Sequence, residues 1–298
     1  MEQLRGTNAL LTGAAGGLGH AIARALAADG VNLVLSDLSG TPFLDELADE
    51  LRARGVRAEA VTADLTQRDD SESLVAKAEE ALGPIDILVN NAGLEFGGRF
   101  ETNSIDEIEA ITDVNLKALM VLTRQALPGM LSRRRGHVVN IASLAGKTTP
   151  PSLATYVATK HGVVGFTHSL RAEHGSEPVS FSAICPAFVG REGMYGRLEA
   201  DLPDPPWYLK PFPPERVGEA VVSAIRDDRA EVVVNERSLK PLIALSSLAP
   251  GLMARLANTP WARRFSEEAE AARAKVEGTG PAETADAAEV TERSGPQR

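Results

Sequence analysis

Tyr156 and Lys160 stand four residues apart in a stretch with helical character, about Ala154 to Glu173. That spacing puts a phenol and an ammonium on one helical face, a turn apart. A free tyrosine titrates near ~10, and a neighbouring cation favours its phenolate. A phenol perturbed in this way is suited to exchanging a proton with a substrate hydroxyl. The same spacing also describes an ordinary helix surface, so the reading rests on what precedes the pair.

The elements upstream are those that would hold such a pair against a ligand. Asn8 to Thr12 is an apolar run of strand length, and it leads into Gly13-Ala-Ala-Gly-Gly17-Leu18-Gly19 and then a helical segment, His20 to Asp29. A glycine-rich turn between strand and helix lets the main chain approach a ligand closely. The helix that follows offers free N–H groups and a positive dipole end to a pyrophosphate; a plain glycine turn is the simpler alternative. Val31 to Ser36 is a second strand, and Asp37 stands at its end, 20 residues after Gly17. A carboxylate there can accept hydrogen bonds from the ribose hydroxyls of an adenosine and would repel a 2′-phosphate. No Arg or Lys lies between Thr12 and Gly19 or in the few residues after Asp37, so NAD is expected over NADP.

The alternation continues with helices at Phe43 to Arg54 and Ser71 to Leu82, a strand at Val56 to Thr62, and the turn Asp64-Leu65. Ile85 to Val89 is a continuous apolar strand of the kind buried in parallel sheets, and it ends in Asn90-Asn91-Ala92-Gly93. Two helical stretches follow, Ser104 to Val114 and Leu116 to Ser132, with Asn115 near their junction, where it could simply be a satisfied buried amide. His137 to Ala142 is the next strand, with Ser143 at its end, 13 residues before Tyr156. Strands and helices in this order predict an α/β fold, a Rossmann-like doubly wound parallel sheet of about seven strands with helices on both faces. Ligands then bind at the C-terminal strand ends.

Thr12-Gly13-x3-Gly17-x-Gly19, Asp64, Asn90-Asn91-Ala92-Gly93, Asn115, Ser143 and Tyr156-x3-Lys160 occur in one order over residues 5–236. In this the chain resembles the short-chain dehydrogenase/reductase family. The resemblance implies an NAD(H)-dependent oxidoreductase acting on a secondary alcohol or ketone. Tyr156 would be the general acid/base and Lys160 would lower its pKa and bind the nicotinamide ribose. Ser143 would hydrogen-bond the substrate oxygen, and Asn115 would hold a water linking Lys160 to solvent. Thr12, Gly13, Gly17, Leu18 and Gly19 would form the pyrophosphate turn. Asp37 would bind the ribose, Asp64 and Leu65 the adenine edge, and Asn91 with Ala92 and Gly93 the middle of the cofactor. The family's Pro-Gly-x-Val-x-Thr is replaced here by Pro186-Ala-Phe-Val189-Gly-Arg191. Pro186 and Val189 are in place to bind the nicotinamide amide, while Arg191 replaces the usual threonine and would meet a phosphate, an acidic substrate or solvent.

Residues 190–214 form the substrate-covering loop of that family, closing a domain that spans residues 1–237. Met194, Tyr195, Trp207, Tyr208 and Phe212 within it point to a hydrophobic substrate, a lipid, steroid or ring alcohol, unless they pin the loop to the core. Phe96 could line the same pocket. Pro214 to Asp227 reads as a helix and Ala230 to Asn235 as the last strand. A helical C-terminal extension is expected over residues 238–276 and a disordered tail over 277–298. Leu239 to Leu256 is apolar but broken by Pro241, Pro250 and Gly251. It is expected to cap the pocket or pack on a partner subunit; contact with a membrane surface is the alternative.

The bulk properties exclude several classes. The chain of 298 residues carries a net charge of −10 with no basic stripe, which argues against nucleic acid. Cys185 is the lone cysteine, so no intramolecular disulfide can form, and a reducing cytoplasm is expected. The start lacks the apolar core of a signal peptide, and no apolar run reaches the ~20 residues of a membrane span. His20, His137, His161, His168 and His174 show no metal-ligand spacing, so no metal is expected. A homodimer or homotetramer, built through the helices 116–132 and 154–173, is implied by the family. A dinucleotide sensor or scaffold without catalysis, and a lipid-modifying enzyme at a membrane surface, are the alternative functions.

Overall fold

In the computed structural model, the described residues are 4–38, 43–190 and 207–257, with Arg264, Glu267 and Glu268 beyond them. Strands and helices alternate from the start: β1 (Asn8–Thr12), α1 (Gly17–Ala28), β2 (Asn32–Asp37), α2 (Phe43–Ala53), β3 (Ala58–Thr62), α3 (Arg68–Leu82) and β4 (Ile87–Asn90). Then come α4 (Ile105–Thr112), a π-helical segment (Asp113–Ala118), α5 (Leu119–Ser132), β5 (Gly136–Ile141), α6 (Ala154–Glu173), β6 (Val179–Pro186), α7 (Glu215–Arg226) and β7 (Glu231–Val234). The chain continues into α8 (Lys240–Leu248) and α9 (Pro250–Ala257).

The seven strands form one sheet in the order β3-β2-β1-β4-β5-β6-β7, and every pairing is parallel. Side chains alternate faces along a strand, and both faces are covered. Ala9 and Leu11 of β1 enter the core beneath α1, α2 and α7, whereas Leu10 enters the core beneath α3 and α5. Strands buried on both sides must be apolar throughout, which is why β1, β4 and β5 read as unbroken apolar runs with few polar interruptions.

One pair of those interruptions meets across the sheet. Asn90 and Asn140 face each other across β4 and β5. The Asn90 amide donates to Asn140 Oδ1 at 2.8 Å and Thr123 Oγ1 at 3.3 Å, and the Asn140 amide donates to Thr167 Oγ1 at 2.9 Å. Buried amides of this kind cost free energy unless paired, and here the pairing ties α5 and α6 to the centre of the sheet.

The reversal of strand order falls between β1 and β4, so a crevice opens at their C-terminal ends, where open α/β sheets bind ligands. At the other end of the chain, α8 buries none of its residues and Leu248 is 85% exposed. Among the described residues no helix is long and apolar enough to cross a membrane.

Candidate active site

Two turns meet in the crevice. Thr12 Oγ1 accepts from the N–H groups of Asn91 and Ala92, each at 3.1 Å. The Asn91 side chain answers by donating to the carbonyls of Thr12 and Gly13, both at 3.0 Å. The glycine turn after β1 and the Asn-Ala-Gly turn after β4 are thus stapled to each other. Gly13 adopts a φ of 65°, the left-handed region that glycine tolerates best. A Cβ on Gly19 would lie 2.2 Å from the Gly13 carbonyl oxygen, so α1 can start this close to the turn only with glycine there. Gly16 is the N-cap of α1 and contributes no side-chain bond. The first turn of that helix is therefore open to an anion, and the site fits the pyrophosphate of a dinucleotide. Leu18 packs against the core from the same turn.

Asp37 ends β2 beside this turn. Its Oδ2 accepts from the Ala15 N–H at 2.8 Å and its Oδ1 from the Leu38 N–H at 2.8 Å. The carboxylate thus shapes the glycine turn. Asp64 closes its own turn, with Oδ1 accepting from the Thr66 N–H at 2.9 Å and the Thr66 hydroxyl at 2.7 Å. The Asp64 N–H in turn donates to Asp70 and holds that carboxyl below its ordinary pKa. Leu65 follows in the same turn, its carbonyl accepting from Ser71 at 3.4 Å.

The structure brings Ser143, Tyr156 and Lys160 together at the end of β5. Tyr156 is 6% and Lys160 3% exposed. Lys160 Nζ lies 5.5 Å from the centre of the Tyr156 ring and donates to the Ile141 carbonyl at 3.0 Å. Ser143 shares a hydrogen bond with the Tyr156 hydroxyl, and its Oγ accepts from the Ala145 N–H at 3.1 Å. In this state the Tyr156 phenol lies above its ordinary value, not below it as expected. Burial pushes the phenol above its ordinary value and the nearby Glu95 carboxylate adds to that, with Ser143 opposing. Burial also depresses Lys160, to about 8, against the opposing influence of Cys185 and Glu95.

Asn115 sits at the junction of the two helices expected there. It lies inside the π-helical segment, which joins α4 to α5 without interruption. A π-turn adds a residue to the ladder and re-aims a side chain, commonly at functional sites. The Asn115 amide donates to the Leu94 carbonyl at 2.8 Å and to Thr159 Oγ1 at 3.4 Å, and its Oδ1 accepts from the Leu94 N–H at 2.7 Å. It clamps the loop that carries Glu95, and Thr159 passes the contact on by donating to the Tyr156 carbonyl at 2.8 Å. Glu95 and Thr159 were not singled out from the sequence. Thr159 sits within Tyr156-x3-Lys160 and could have been noticed there; nothing local marks Glu95.

Pro186 ends β6 and Val189 follows in a short bridge to Phe212. The bridge uses the Phe188 carbonyl (3.1 Å) and the Gly190 N–H (3.0 Å). Peptide groups alternate sides along an extended chain, so Val189's own N–H and C=O face away from Phe212, available to an amide. Phe212 is 1% exposed and belongs to the core, so it pins the loop rather than lining a pocket. Arg191, Met194 and Tyr195 lie outside the described residues, as does the side chain of Trp207.

Comparison with known proteins places the chain among relatives. A family model described as short chain dehydrogenase matches residues 7–201. The ketoacyl reductase HetN of a Nostoc species is 38% identical over 251 residues, covering 84% of this chain and 86% of the relative. Oxidoreductase UcpA of Escherichia coli is 40% identical over 190 residues, 63% of this chain and 72% of the relative. Among solved structures, a short chain dehydrogenase/reductase from Burkholderia phymatum in complex with NAD has a TM-score of 0.73 at 28% identity, covering 85% of this chain and 96% of the other. A blue fluorescent protein from a metagenomic library in complex with NADPH has a TM-score of 0.70 at 26% identity, covering 78% and 98%. With a family model matching residues 7–201 and a relative 38% identical over 84% of its length, the chain belongs to the short-chain dehydrogenase family.

Proposed function

We propose that the protein is an NAD(H)-dependent oxidoreductase that moves a hydride between nicotinamide and a secondary alcohol or ketone, with Tyr156 as general acid/base. The observation that carries this is the convergence of Tyr156, Ser143 and Lys160 beside a glycine turn built for a pyrophosphate. The bound cofactor supplies or accepts the hydride at its nicotinamide ring. The chain's own groups manage the proton and the geometry. The Tyr156 hydroxyl gives its proton to a substrate oxygen in the reductive direction, and its burial keeps that proton in place until a stronger acceptor forms. Ser143 donates to the same oxygen, orienting it and stabilising charge that develops there. Lys160, lowered to about 8, is poised to supply charge or a proton beside the phenol at neutral pH. Asn115 is a positioning residue, with its amide committed to Leu94 and Thr159.

The cofactor preference rests on Asp37 at the end of β2, a carboxylate that would repel a 2′-phosphate. For the substrate, the relatives named as ketoacyl reductases favour a 3-oxoacyl chain from within the hydrophobic class. Tyr208 and Phe96 are the aromatic groups that would meet it, and α5 and α6 are the surfaces through which a homodimer or homotetramer would form. Titration with NADH and NADPH, followed by nicotinamide fluorescence, tests the first point: tighter NADH binding is expected, and NADPH preference would overturn the role of Asp37. A screen of hydrophobic ketones with wild type and Tyr156→Phe tests the second. The variant should bind NADH normally and lose activity by about 10²–10⁴-fold; undiminished turnover would refute the assignment.

A further inference from the structure

At the end of the sheet away from Tyr156, a surface cavity of about 640 Å³ opens at the start of β5 and β6. Arg5, Arg133, Arg134 and Arg135 line it together with His137 and Ser180. Four guanidinium groups around one cavity stand out in a chain with a net charge of −10. Their countercharges are sparse. Arg133 donates to the Ile85 carbonyl at 2.8 Å and lies 3.9 Å from Glu79, and Arg135 lies 3.8 Å from Asp86. Among the described residues Arg5 and Arg134 carry no ion pair. Arg134 is held at a φ of 53°, a region that residues other than glycine seldom occupy.

The wall of this cavity also contains an unmatched buried group. His137 is 0% exposed, and its Nε2 lies 2.8 Å from Ser182 Oγ, whose own proton goes to the Arg229 carbonyl at 2.5 Å. The Nε2 must therefore carry the imidazole hydrogen, which leaves Nδ1 as an acceptor, and Nδ1 has no partner. Burial keeps the ring neutral by holding its pKa down to about 3. A cavity lined by several cationic forks matches an oxyanion.

We propose that this cavity binds a small phosphorylated ligand, with the phosphate held by the arginines that line it. Guanidinium groups pair with phosphate oxygens two at a time, and the volume lies in the range of small-molecule sites. His137 and Ser143 are six residues apart along β5 and its extension, roughly 20 Å at ~3.3 Å per residue. The site is thus separate from the glycine turn, and both can be filled at once.

The test is calorimetric titration of inorganic pyrophosphate into the full-length protein saturated with NADH. One site per chain is expected, with affinity reduced at least tenfold in both Arg134→Glu and the milder Arg134→Gln. NADH affinity should be unchanged in these variants, since Arg134 is exposed and remote from the cofactor turn. Absence of binding would overturn the proposal. So would binding that disappears when NADH is present, affinity untouched by either variant, or heat reproduced by sodium chloride of equal ionic strength. Sedimentation with phosphatidylglycerol vesicles without pyrophosphate binding would likewise overturn it, by identifying a lipid headgroup as the source of the phosphate.

Discussion

The neutral, buried state of His137 makes acid stability a quantitative probe of the sheet's base. Its folded pKa of about 3 lies below the ordinary 6.5. Between those two values the unfolded chain binds a proton that the native protein does not, so stability falls as pH falls. At about pH 5 an unfolded imidazole is nearly fully protonated while the buried one is not. Linkage at ~1.36 kcal/mol per pH unit gives a loss of about 2 kcal/mol relative to about pH 7.5. The size of that loss is insensitive to the folded value so long as it stays well below about 5. His137→Gln retains a donor for Ser182 and removes the titration, so the variant should lose about 2 kcal/mol less than wild type over the same interval. The other ionisable residues are common to the two proteins. Urea unfolding at the two pH values, extrapolated to water, measures each difference. Parallel loss in the two proteins, within about 0.5 kcal/mol, would refute the buried neutral histidine.

Two further outcomes are expected. The Lys160 pKa of about 8 lies below the ordinary 10.5, so its ammonium is lost early as pH rises. The kcat/KM for ketone reduction should therefore decline through about pH 8, and a profile flat to about pH 10 would contradict the placement of Lys160 beside the reacting proton. Asn115→Ala removes both partners of the Leu94 peptide groups in a half-buried loop. Each orphaned group costs about 1–3 kcal/mol, so urea unfolding should register a loss of about 2–6 kcal/mol; loss below about 0.5 kcal/mol would mean that the clamp contributes nothing.

Much of this molecule was legible before folding was considered. Strands such as Asn8–Thr12 and the helix Ala154–Glu173 appear at the expected residues, because a sheet buried on both faces demands apolar runs and a covering helix demands its own period. The glycine turn could be read because α1 can begin beside the Gly13 carbonyl only if residue 19 lacks a Cβ. Boundaries moved where a local competitor acted: α3 begins at Arg68 rather than Ser71, since Asp64 and Thr66 close their turn early and start the helix sooner. Phe212 was ambiguous between loop and core for want of a partner visible in sequence, and the core claimed it.

What the sequence by itself determined was the order of elements, the faces they bury and the chemical types gathered at the strand ends. These follow from properties that repeat at short range, namely hydrophobic period, turn residues and the spacing of Tyr156 and Lys160. Only the tertiary structure decided the electrostatics and the clamps. The Tyr156 pKa rises because the folded chain removes it from water, an effect of burial that outweighs any neighbour four residues away. Asn115 is aimed at Leu94 by a π-turn with no sequence mark, and Arg5 meets Arg134 and His137 at one cavity because strand order, not chain order, puts β1, β4, β5 and β6 in succession. Solvent exclusion and long-range juxtaposition are properties of the packed sheet, and residue spacing along the chain does not contain them.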